Sequence, residues 1–333
     1  MRRTIGCVQM IESIPTAPEQ LHSTLTATDG HEIPVTQWRP PSAPAAVVQV
    51  LHGLGEHSGR YRWFAAACCA HGFAVIGHDH RGHGPDCKQN SLGHFSDRGG
   101  WNKAVGDAIA VQRFACHTWP HTPIVLLGHS MGSYIAQSLA AREPALTKAL
   151  ILSASTFSSR LQVRLGRLLA LIVMWRSGGR NRSAFLNQLG IGNFNKRFAP
   201  NRTDFDWLSR DAAEVDRYVA DPLCGFLLSN RFWYDVLGGL LETTSVRMLR
   251  RIPPDLPILI TGGEDDPVGG KRGQSRLAHA YRVTGHKNVT LRQWPGGRHE
   301  MLNEINRDEF TRDVLEWIDR QAIHTAEQSN EQT

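Results

Sequence analysis

The chain has 333 residues and a formal net charge of +6, with 41% hydrophobic and 20% charged residues. This balance excludes a disordered chain, and the length suits one large α/β domain with an insertion. No stretch approaches the roughly 18 apolar residues of a membrane span, and no secretory signal is expected at the start. Six cysteines without metal or disulfide spacing favour free thiols and a cytoplasmic protein.

The positive charge is concentrated in the middle of the chain. Between Thr156 and Ile252 there are 15 Lys or Arg against 8 Asp or Glu. Such a surplus suits anionic lipid, an acidic substrate or nucleic acid, and it is equally typical of an ordinary solvated face. No nucleic-acid-binding motif accompanies the charge, so we expect no nucleic-acid partner.

The first half of the chain predicts a hairpin followed by alternating strands and helices. Residues 1–20 show no periodicity and predict a flexible leader. Asp29-Gly30 lies between two β-rich runs and predicts an antiparallel edge pair. The alternation that follows indicates parallel β-α-β units buried on both faces. Its predicted strands are 46–51, 73–77, 123–127 and 149–153, and its predicted helices are 61–70, 101–117 and 133–141.

The alternation stops after residue 154 and resumes near residue 257. The segment between them has no convincing strand, which predicts a helical cap over the carboxyl edge of the sheet, where open α/β sheets bind ligands. The later elements are strands 257–261 and 289–294 and helices 274–283 and 303–320. We therefore predict an α/β fold with a mostly parallel sheet and helices on both faces. Its parts are a core of residues 21–154 and 253–322, a cap of 155–252 and a flexible tail of 323–333.

One pentapeptide organises these elements. Gly128-His129-Ser130-Met131-Gly132 fits Gly-x-Ser-x-Gly, in which a serine sits on a sharp turn from strand into helix. Glycine is needed on both sides because the serine adopts strained backbone angles and a neighbouring Cβ would clash. The pentapeptide alone is a weak signal, and the predicted strand before it and helix after it strengthen it.

A serine hydroxyl needs a base to become a nucleophile, and the base needs an orienting carboxylate. In this architecture the partners follow in the order serine, acid, histidine. Asp266 follows one predicted strand and His299 follows the next, so we predict Ser130 as nucleophile, His299 as general base and Asp266 as its orienter. Asp265 is the nearest rival for Asp266, and Glu264 is a more distant one.

The oxyanion of the tetrahedral intermediate needs two converging backbone donors. Met131 follows the nucleophile and supplies one N–H. The loop His52-Gly53-Leu54-Gly55 follows the third strand, and we predict Leu54 N–H as the other donor.

Five motifs together resemble the monoacylglycerol lipase and lysophospholipase branch of the α/β-hydrolases. The run from His52 to Tyr61 is the most specific of them, whereas the serine turn is shared by the whole superfamily. The resemblance implies hydrolysis of a carboxylic ester with one acyl chain, without a cofactor. The other motifs are Asp79–Gly84, Gly128–Gly132, Asp266–Val268 and Gly297–His299.

Other functions on the same scaffold stay open. A thioesterase would use the same residues, and an aminopeptidase would add cap carboxylates for the substrate ammonium group. A non-catalytic small-molecule binder is the alternative from another class. No metal site is expected, since the histidines around Asp79 lack the spacing of a two-metal hydrolase and more simply hold a loop. The candidate ammonium-binding residues are Glu214, Asp216 and Asp221.

The start of the cap predicts an amphipathic helix with two interpretations. Its apolar residues either face the core or lie on a lipid surface, with the basic residues meeting anionic headgroups. The apolar set is Leu161, Leu165, Leu168, Leu169, Ile172 and Trp175, and the basic set is Arg160, Arg164 and Arg167. Cap aromatic residues either line an acyl channel or form the cap's own core.

Overall fold

The computed structural model describes residues 18–88 and 91–323. Eight strands form one sheet in the order β1-β2-β4-β3-β5-β6-β7-β8. The pairs β1–β2 and β2–β4 are antiparallel, and all other neighbours are parallel. The strands are β1 (Glu19–Thr26), β2 (Glu32–Arg39), β3 (Ala46–Leu51), β4 (Phe73–His78), β5 (Ile124–His129), β6 (Ala149–Ser153), β7 (Ile258–Gly263) and β8 (Val289–Trp294).

Helices cover both faces of this sheet, which explains why every residue of β3 to β7 is buried. Helices α1 (Arg62–Ala70) and α10 (Arg307–Ile318) pack on one face. Helices α2 (Gly100–Thr118), α3 (Met131–Arg142) and α9 (Gly270–Val283) pack on the other. The predicted α/β architecture with a mostly parallel sheet is confirmed.

The segment between β6 and β7, which is described throughout, contains helices and no strand. We call residues 155–252 the cap. Its α-helices are α4 (Arg160–Ser177), α5 (Ala184–Asn187), α6 (Ala212–Ala220), α7 (Asn230–Thr243) and α8 (Val246–Leu249). Two short helical segments, Gln188–Gly192 and Phe194–Phe198, follow α5.

Several element boundaries differ from the sequence prediction. Strand β1 begins at Glu19, inside the predicted leader, because it completes the hairpin whose register pairs Glu19 with Arg39. Residues 1–17 of the leader and 324–333 of the tail lie outside the described residues. Helix α9 begins at Gly270, one turn earlier than predicted, and α10 begins at Arg307 because a separate 3-10 turn occupies Met301–Asn303.

No helix among the described residues is long and apolar enough to cross a bilayer. The five described cysteines are all free, and Cys7 lies outside the described residues. Cys68 and Cys69 lie on the buried side of α1 and pack in the core, as expected for small apolar side chains.

Candidate active site

Ser130 lies on the sharp turn that joins β5 to α3. Its φ of 50° and ψ of −118° place it in a strained backbone conformation, and its N–H donates to the carbonyl of Ser153 at 2.9 Å. A Cβ at Gly132 would overlap the carbonyl oxygens of Leu51 and His52, and one at Gly128 would overlap the backbone of Gly132. The packing of β3 and α3 against the turn therefore requires glycine at both flanks.

His299 and Asp266 follow the ends of β8 and β7 and meet behind the turn. His299 Nδ1 donates to Asp266 Oδ1 over 2.9 Å, and the two residues are 3% and 2% exposed. The rival carboxylates point elsewhere within the described structure. Asp265 forms an ion pair with Arg197, and Glu264 forms one with Lys271.

The surroundings of His299 set the pKa of its imidazole. Burial lowers the pKa, but the Asp266 carboxylate and its hydrogen bond outweigh burial, so the pKa is raised above its ordinary value. The ring packs between Trp207 and His129, with centroid distances of 4.9 and 4.8 Å. The pKa of His129 is lowered to about 4 by burial and by the neighbouring His299, so His129 stays neutral at pH 7.

Ser130 and His299 line the same cavity. No hydrogen bond joins the Ser130 hydroxyl to the imidazole in this structure, in which both residues are described. In hydrolases without substrate this contact is often long and tightens only when substrate is bound. The structure thus brings the three predicted side chains to one place, with the His299–Asp266 contact formed and the Ser130–His299 contact open.

Leu54 and Met131 also line this cavity beside Ser130. A Cβ built on Gly53 would contact Ser130 Cβ at 3.3 Å, so the loop after β3 passes directly over the nucleophile. Met131 is the first residue of α3, and the first N–H groups of a helix have no intrahelical partner. Neither the Leu54 nor the Met131 N–H donates to a protein group within the described residues. Both predicted donors are therefore available to an oxyanion.

A buried ion-pair network supports this loop, and the sequence analysis did not find it. Arg60 donates to both carboxylate oxygens of Glu300 at 2.6 Å and to Glu56 at 2.8 Å. Glu56 in turn accepts the N–H of Gly53 at 2.5 Å and the hydroxyl of Tyr61 at 2.9 Å. The network links the loop of Leu54 to the residue after His299. Its sequence signal is the His52–Tyr61 run, which contains Glu56, Arg60 and Tyr61.

The histidines around Asp79 hold a loop, as the sequence analysis expected. Asp79 accepts the N–H of Ser58 at 2.7 Å, and His83 Nε2 accepts the N–H of Gly55 at 3.3 Å. Burial lowers the pKa of His78 to about 3 and that of His83 to about 4, so both are neutral. These residues show no metal-ligating arrangement among the described side chains.

The cavity above Ser130 has a volume of about 360 Å³ and walls that are mostly apolar. Core and cap both contribute to it. Of the aromatic cap residues, Phe194, Trp207, Tyr218 and Trp233 line the cavity. The first three of these also pack in the cap's own cluster, together with Phe198 and Phe205. The apolar lining from the cap includes Val163, Leu186, Leu189, Ile191, Val236, Leu237 and Leu240. The walls are thus suited to an apolar chain, and Ser130 and His299 lie among the polar lining residues.

Comparison with known proteins agrees with this arrangement. Residues 42–306 match the family model described as serine aminopeptidase S33 (Hydrolase_4). The chain is similar to monoglyceride lipase of Mus musculus, with 29% identity over 308 residues that cover 90% of this chain and 89% of the relative. It is also similar to monoacylglycerol lipase of Mycolicibacterium smegmatis, with 29% identity over 84% of this chain and 90% of the relative.

Among solved structures, a highly thermostable carboxyl esterase from Bacillus coagulans superimposes with a TM-score of 0.84. The sequence identity is 25%, and the match covers 91% of this chain and 99% of the esterase. The whole architecture, including the cap, thus resembles that of carboxylic ester hydrolases.

Proposed function

The chain belongs to the serine aminopeptidase S33 family of α/β-hydrolases, and from this premise we propose that it hydrolyses the carboxylic ester of single-acyl lipids, above all monoacylglycerols. The observation that carries the proposal is a serine turn and a buried His299–Asp266 pair at the polar end of a mostly apolar cavity. Lysophospholipids share the single acyl chain and are the nearest alternative substrates.

The reaction uses this chain's own groups throughout. Ser130 Oγ attacks the ester carbonyl while His299 takes its proton, and Asp266 holds the imidazole in the required tautomer. The N–H groups of Leu54 and Met131 stabilise the oxyanion. His299 then protonates the leaving alcohol, and water, activated by the same imidazole, releases the fatty acid from Ser130.

The charges around the cavity favour an ester over an aminoacyl substrate. An aminopeptidase needs an unpaired carboxylate to hold the substrate ammonium group. Glu56 and Glu300 are the carboxylates that line the cavity, and both are bound to Arg60. The three cap carboxylates that the sequence offered for this role have partners: Glu214 with Arg217 and Arg307, Asp216 with Arg202, and Asp221 with His57.

A hydrolysis panel tests the proposal. Monoacylglycerols, lysophospholipids, acyl thioesters and aminoacyl naphthylamides are compared by kcat/KM, together with labelling by a fluorophosphonate probe. We expect labelling at Ser130 and the highest kcat/KM on a monoacylglycerol. A preference for thioesters or aminoacyl amides would overturn the substrate class, and absence of labelling would favour the non-catalytic binder.

The cap also supports contact with a lipid surface. The apolar residues of α4 are largely exposed, with Leu161 at 67%, Leu165 at 59% and Trp175 at 82%. The opposite side of α4 contributes Val163 and Gly166 to the cavity. Helix α4 thus separates the substrate cavity from an exposed apolar face, as expected of an element that lies on a bilayer.

Two of the basic residues of α4 contact the neighbouring helix α7, a role that the sequence did not suggest. Arg160 donates to the carbonyl of Leu241 at 2.6 Å, and Arg167 packs over the ring of Tyr234. Arg160 and Arg167 thus fasten α4 to α7, whereas Arg164 of the same basic set is exposed. Peripheral membrane contact therefore rests on the apolar face, and a cytoplasmic location stays a prediction.

A further inference from the structure

The loop after β3 meets a tight turn of the cap on the far side of Leu54. The turn, Asp221–Cys224, lies between α6 and α7. Gly225 N–H donates to the carbonyl of Gly55 at 3.0 Å, and Tyr218 hydroxyl donates to the same carbonyl at 2.8 Å. The two segments are thus joined by one backbone–backbone bond and by the side chain of Tyr218, which also lines the Ser130 cavity.

Three metal-binding side chains face one another at this junction. His57 Nε2 and Asp221 Oδ2 are 2.9 Å apart, and these atoms and Cys224 Sγ all lie within 4.8 Å of one another. The side chains of His57 and Asp221 are 15% and 29% exposed, whereas Cys224 is buried. An ion can therefore reach the group from solvent, and none of the three residues lines the Ser130 cavity.

The turn has the local geometry of a zinc-binding loop. Asp221 and Cys224 are three positions apart, the spacing of C-x2-C ligand pairs in structural zinc sites. Cys224 N–H donates to Asp221 carbonyl at 3.0 Å, and Leu223 N–H donates to Asp221 Oδ1 at 2.8 Å. The second bond fixes the carboxylate and leaves Oδ2 directed at His57. Gly225 follows with a φ of 65°, which ends the turn sharply.

We propose that His57 Nε2, Asp221 Oδ2 and Cys224 Sγ form a site for Zn²⁺, with a water molecule in the fourth position. The mixed nitrogen, oxygen and sulfur donors suit Zn²⁺ better than Mg²⁺ or Ca²⁺, which prefer oxygen ligands alone. Tetrahedral bonds of about 2.0–2.3 Å need ligand atoms roughly 3.3–3.8 Å apart. His57 Nε2 and Asp221 Oδ2 therefore separate slightly around the ion, and Cys224 Sγ moves closer to them.

The charge of the surroundings permits a divalent cation. Arg60 lies near Cys224, but Glu56 and Glu300 both bind its guanidinium, so carboxylates outnumber it even before Asp221 is added. On binding, the thiol of Cys224 gives its proton to solvent as the sulfur–zinc bond forms. The His57–Asp221 hydrogen bond is lost, and the imidazole proton moves by way of solvent from Nε2 to Nδ1, which frees the Nε2 lone pair for the ion. Zn²⁺ and a proton compete for the thiol, so zinc affinity increases with pH.

Metal titration of the full chain tests the site. Zn²⁺ affinity is measured by competition with a chromophoric chelator, and Co²⁺ is used as a probe because its thiolate bond gives a charge-transfer band. We expect one Zn²⁺ per chain, a thiolate–cobalt band and a rise in melting temperature with Zn²⁺. Cys224→Ser and His57→Gln each weaken binding at least tenfold and abolish or diminish the band.

Cys116→Ser is the matched control, because Cys116 is a half-buried thiol on α2, far along the chain from the junction. We expect this variant to keep the wild-type Zn²⁺ affinity and the thiolate–cobalt charge-transfer band. The melting temperatures in EDTA show that each variant is folded. A band that survives in Cys224→Ser places the metal elsewhere and overturns the proposal, as does wild-type protein without a band.

Discussion

His299 Nδ1 donates a hydrogen bond to Asp266 Oδ1 over 2.9 Å, in a place where both side chains are almost fully buried. Burial alone lowers the pKa of the imidazole, but the carboxylate raises it by more. A neutral imidazole is the form that accepts the proton of Ser130. The hydrogen bond that orients the base therefore also sets the pH at which the base becomes active.

We expect kcat/KM to increase with pH through an apparent pKa above 6.5, the ordinary value of histidine. Below that value His299 is protonated and cannot take the serine proton. Asp266→Asn shifts this increase of kcat/KM to lower pH. It also reduces kcat by about 10⁴, because the imidazole of His299 is no longer held in the required tautomer. The check is a pH–rate profile of both proteins on a short p-nitrophenyl ester. An unchanged midpoint in the variant would contradict the pairing.

Replacement of the nucleophile separates chemistry from folding. Ser130→Ala lowers kcat on the same ester by at least about 10³, since the alkoxide that forms the acyl-enzyme is absent. The free energy of unfolding changes by less than about 0.5 kcal/mol, because only a hydroxyl beside a cavity is removed. Steady-state kinetics and urea unfolding measure the two effects. Retained turnover would refute the proposed mechanism.

The glycines of the serine turn have no room for a side chain, unlike the glycine inside α2. Gly132→Ala forces a Cβ into the carbonyl oxygens of Leu51 and His52, so we expect a loss of at least about 2 kcal/mol in unfolding free energy. Gly106, inside α2, has open space at its Cβ position. Gly106→Ala therefore stabilises the chain by about 0.5–1 kcal/mol. Urea unfolding of both variants gives the comparison, and equal effects would argue against the tight packing of the turn.

Buried neutral histidines should make the chain sensitive to acid. The folded pKa values of His78 and His83 are lowered to about 3 and about 4, against 6.5 for the unfolded chain. The unfolded chain thus binds protons first, so the stability is fully present above pH 6.5 and is lost as the pH falls. At pH 5 each of these two histidines lowers the free energy of unfolding by about 2 kcal/mol relative to neutral pH.

The measurement is the free energy of unfolding in urea at pH 7.5 and at pH 5. We expect a fall of several kcal/mol for the wild type and a smaller fall for His78→Gln, which cannot take up the extra proton. The change in unfolding free energy from pH 7.5 to pH 5 is determined for each protein separately, so that any general destabilisation by the substitution cancels. Identical falls in both proteins would show that His78 does not contribute.

The exposed apolar side of α4 predicts that turnover of vesicle-borne substrate depends on contact between this helix and the bilayer. Replacement of Leu165, Leu168 and Trp175 by serine removes apolar area that would enter the lipid, at about 1.5–3 kcal/mol for each side chain. Turnover of vesicle-borne monoacylglycerol then falls at least tenfold, while turnover of a soluble short ester is kept.

Val283→Ser is the matched control, since Val283 is 62% exposed on α9, outside the cap. Sedimentation with phosphatidylcholine vesicles, with and without anionic lipid, measures binding directly. A triple variant that still turns over vesicle-borne substrate at the wild-type rate would show that α4 does not contact the bilayer.

The sequence predicted those parts of the chain that depend on local pattern. The Asp29-Gly30 hairpin, the buried strands and the helix after Ser130 follow from periodicity and turn residues, and the structure has them within a few residues. It also predicted that Asp266 and His299 would meet, since both follow neighbouring parallel strands, and Asp266 Oδ1 accepts the His299 hydrogen bond.

What the sequence could not predict depends on contacts between distant segments. Arg160 belongs to an amphipathic helix, but only the position of α7 shows that it binds the carbonyl of Leu241. Likewise, Trp207 has no pattern that marks it as a neighbour of His299, because the turn that brings it there is irregular. Arg60 bridges Glu56 and Glu300, which are far apart along the chain.

The backbone of the cap carries the histidine loop. The carbonyl oxygens of Trp207 and Leu208 accept the N–H groups of His299 and Glu300 at 3.4 and 2.8 Å, and Ser209 donates to the carbonyl of Asn303 at 2.7 Å. A chimaera that exchanged the entire cap with that of a relative would therefore also lose the backbone carbonyls that hold the loop of His299. Recombination intended to transfer acyl-chain preference should exchange α4 and α5 and retain residues 205–210 of the recipient.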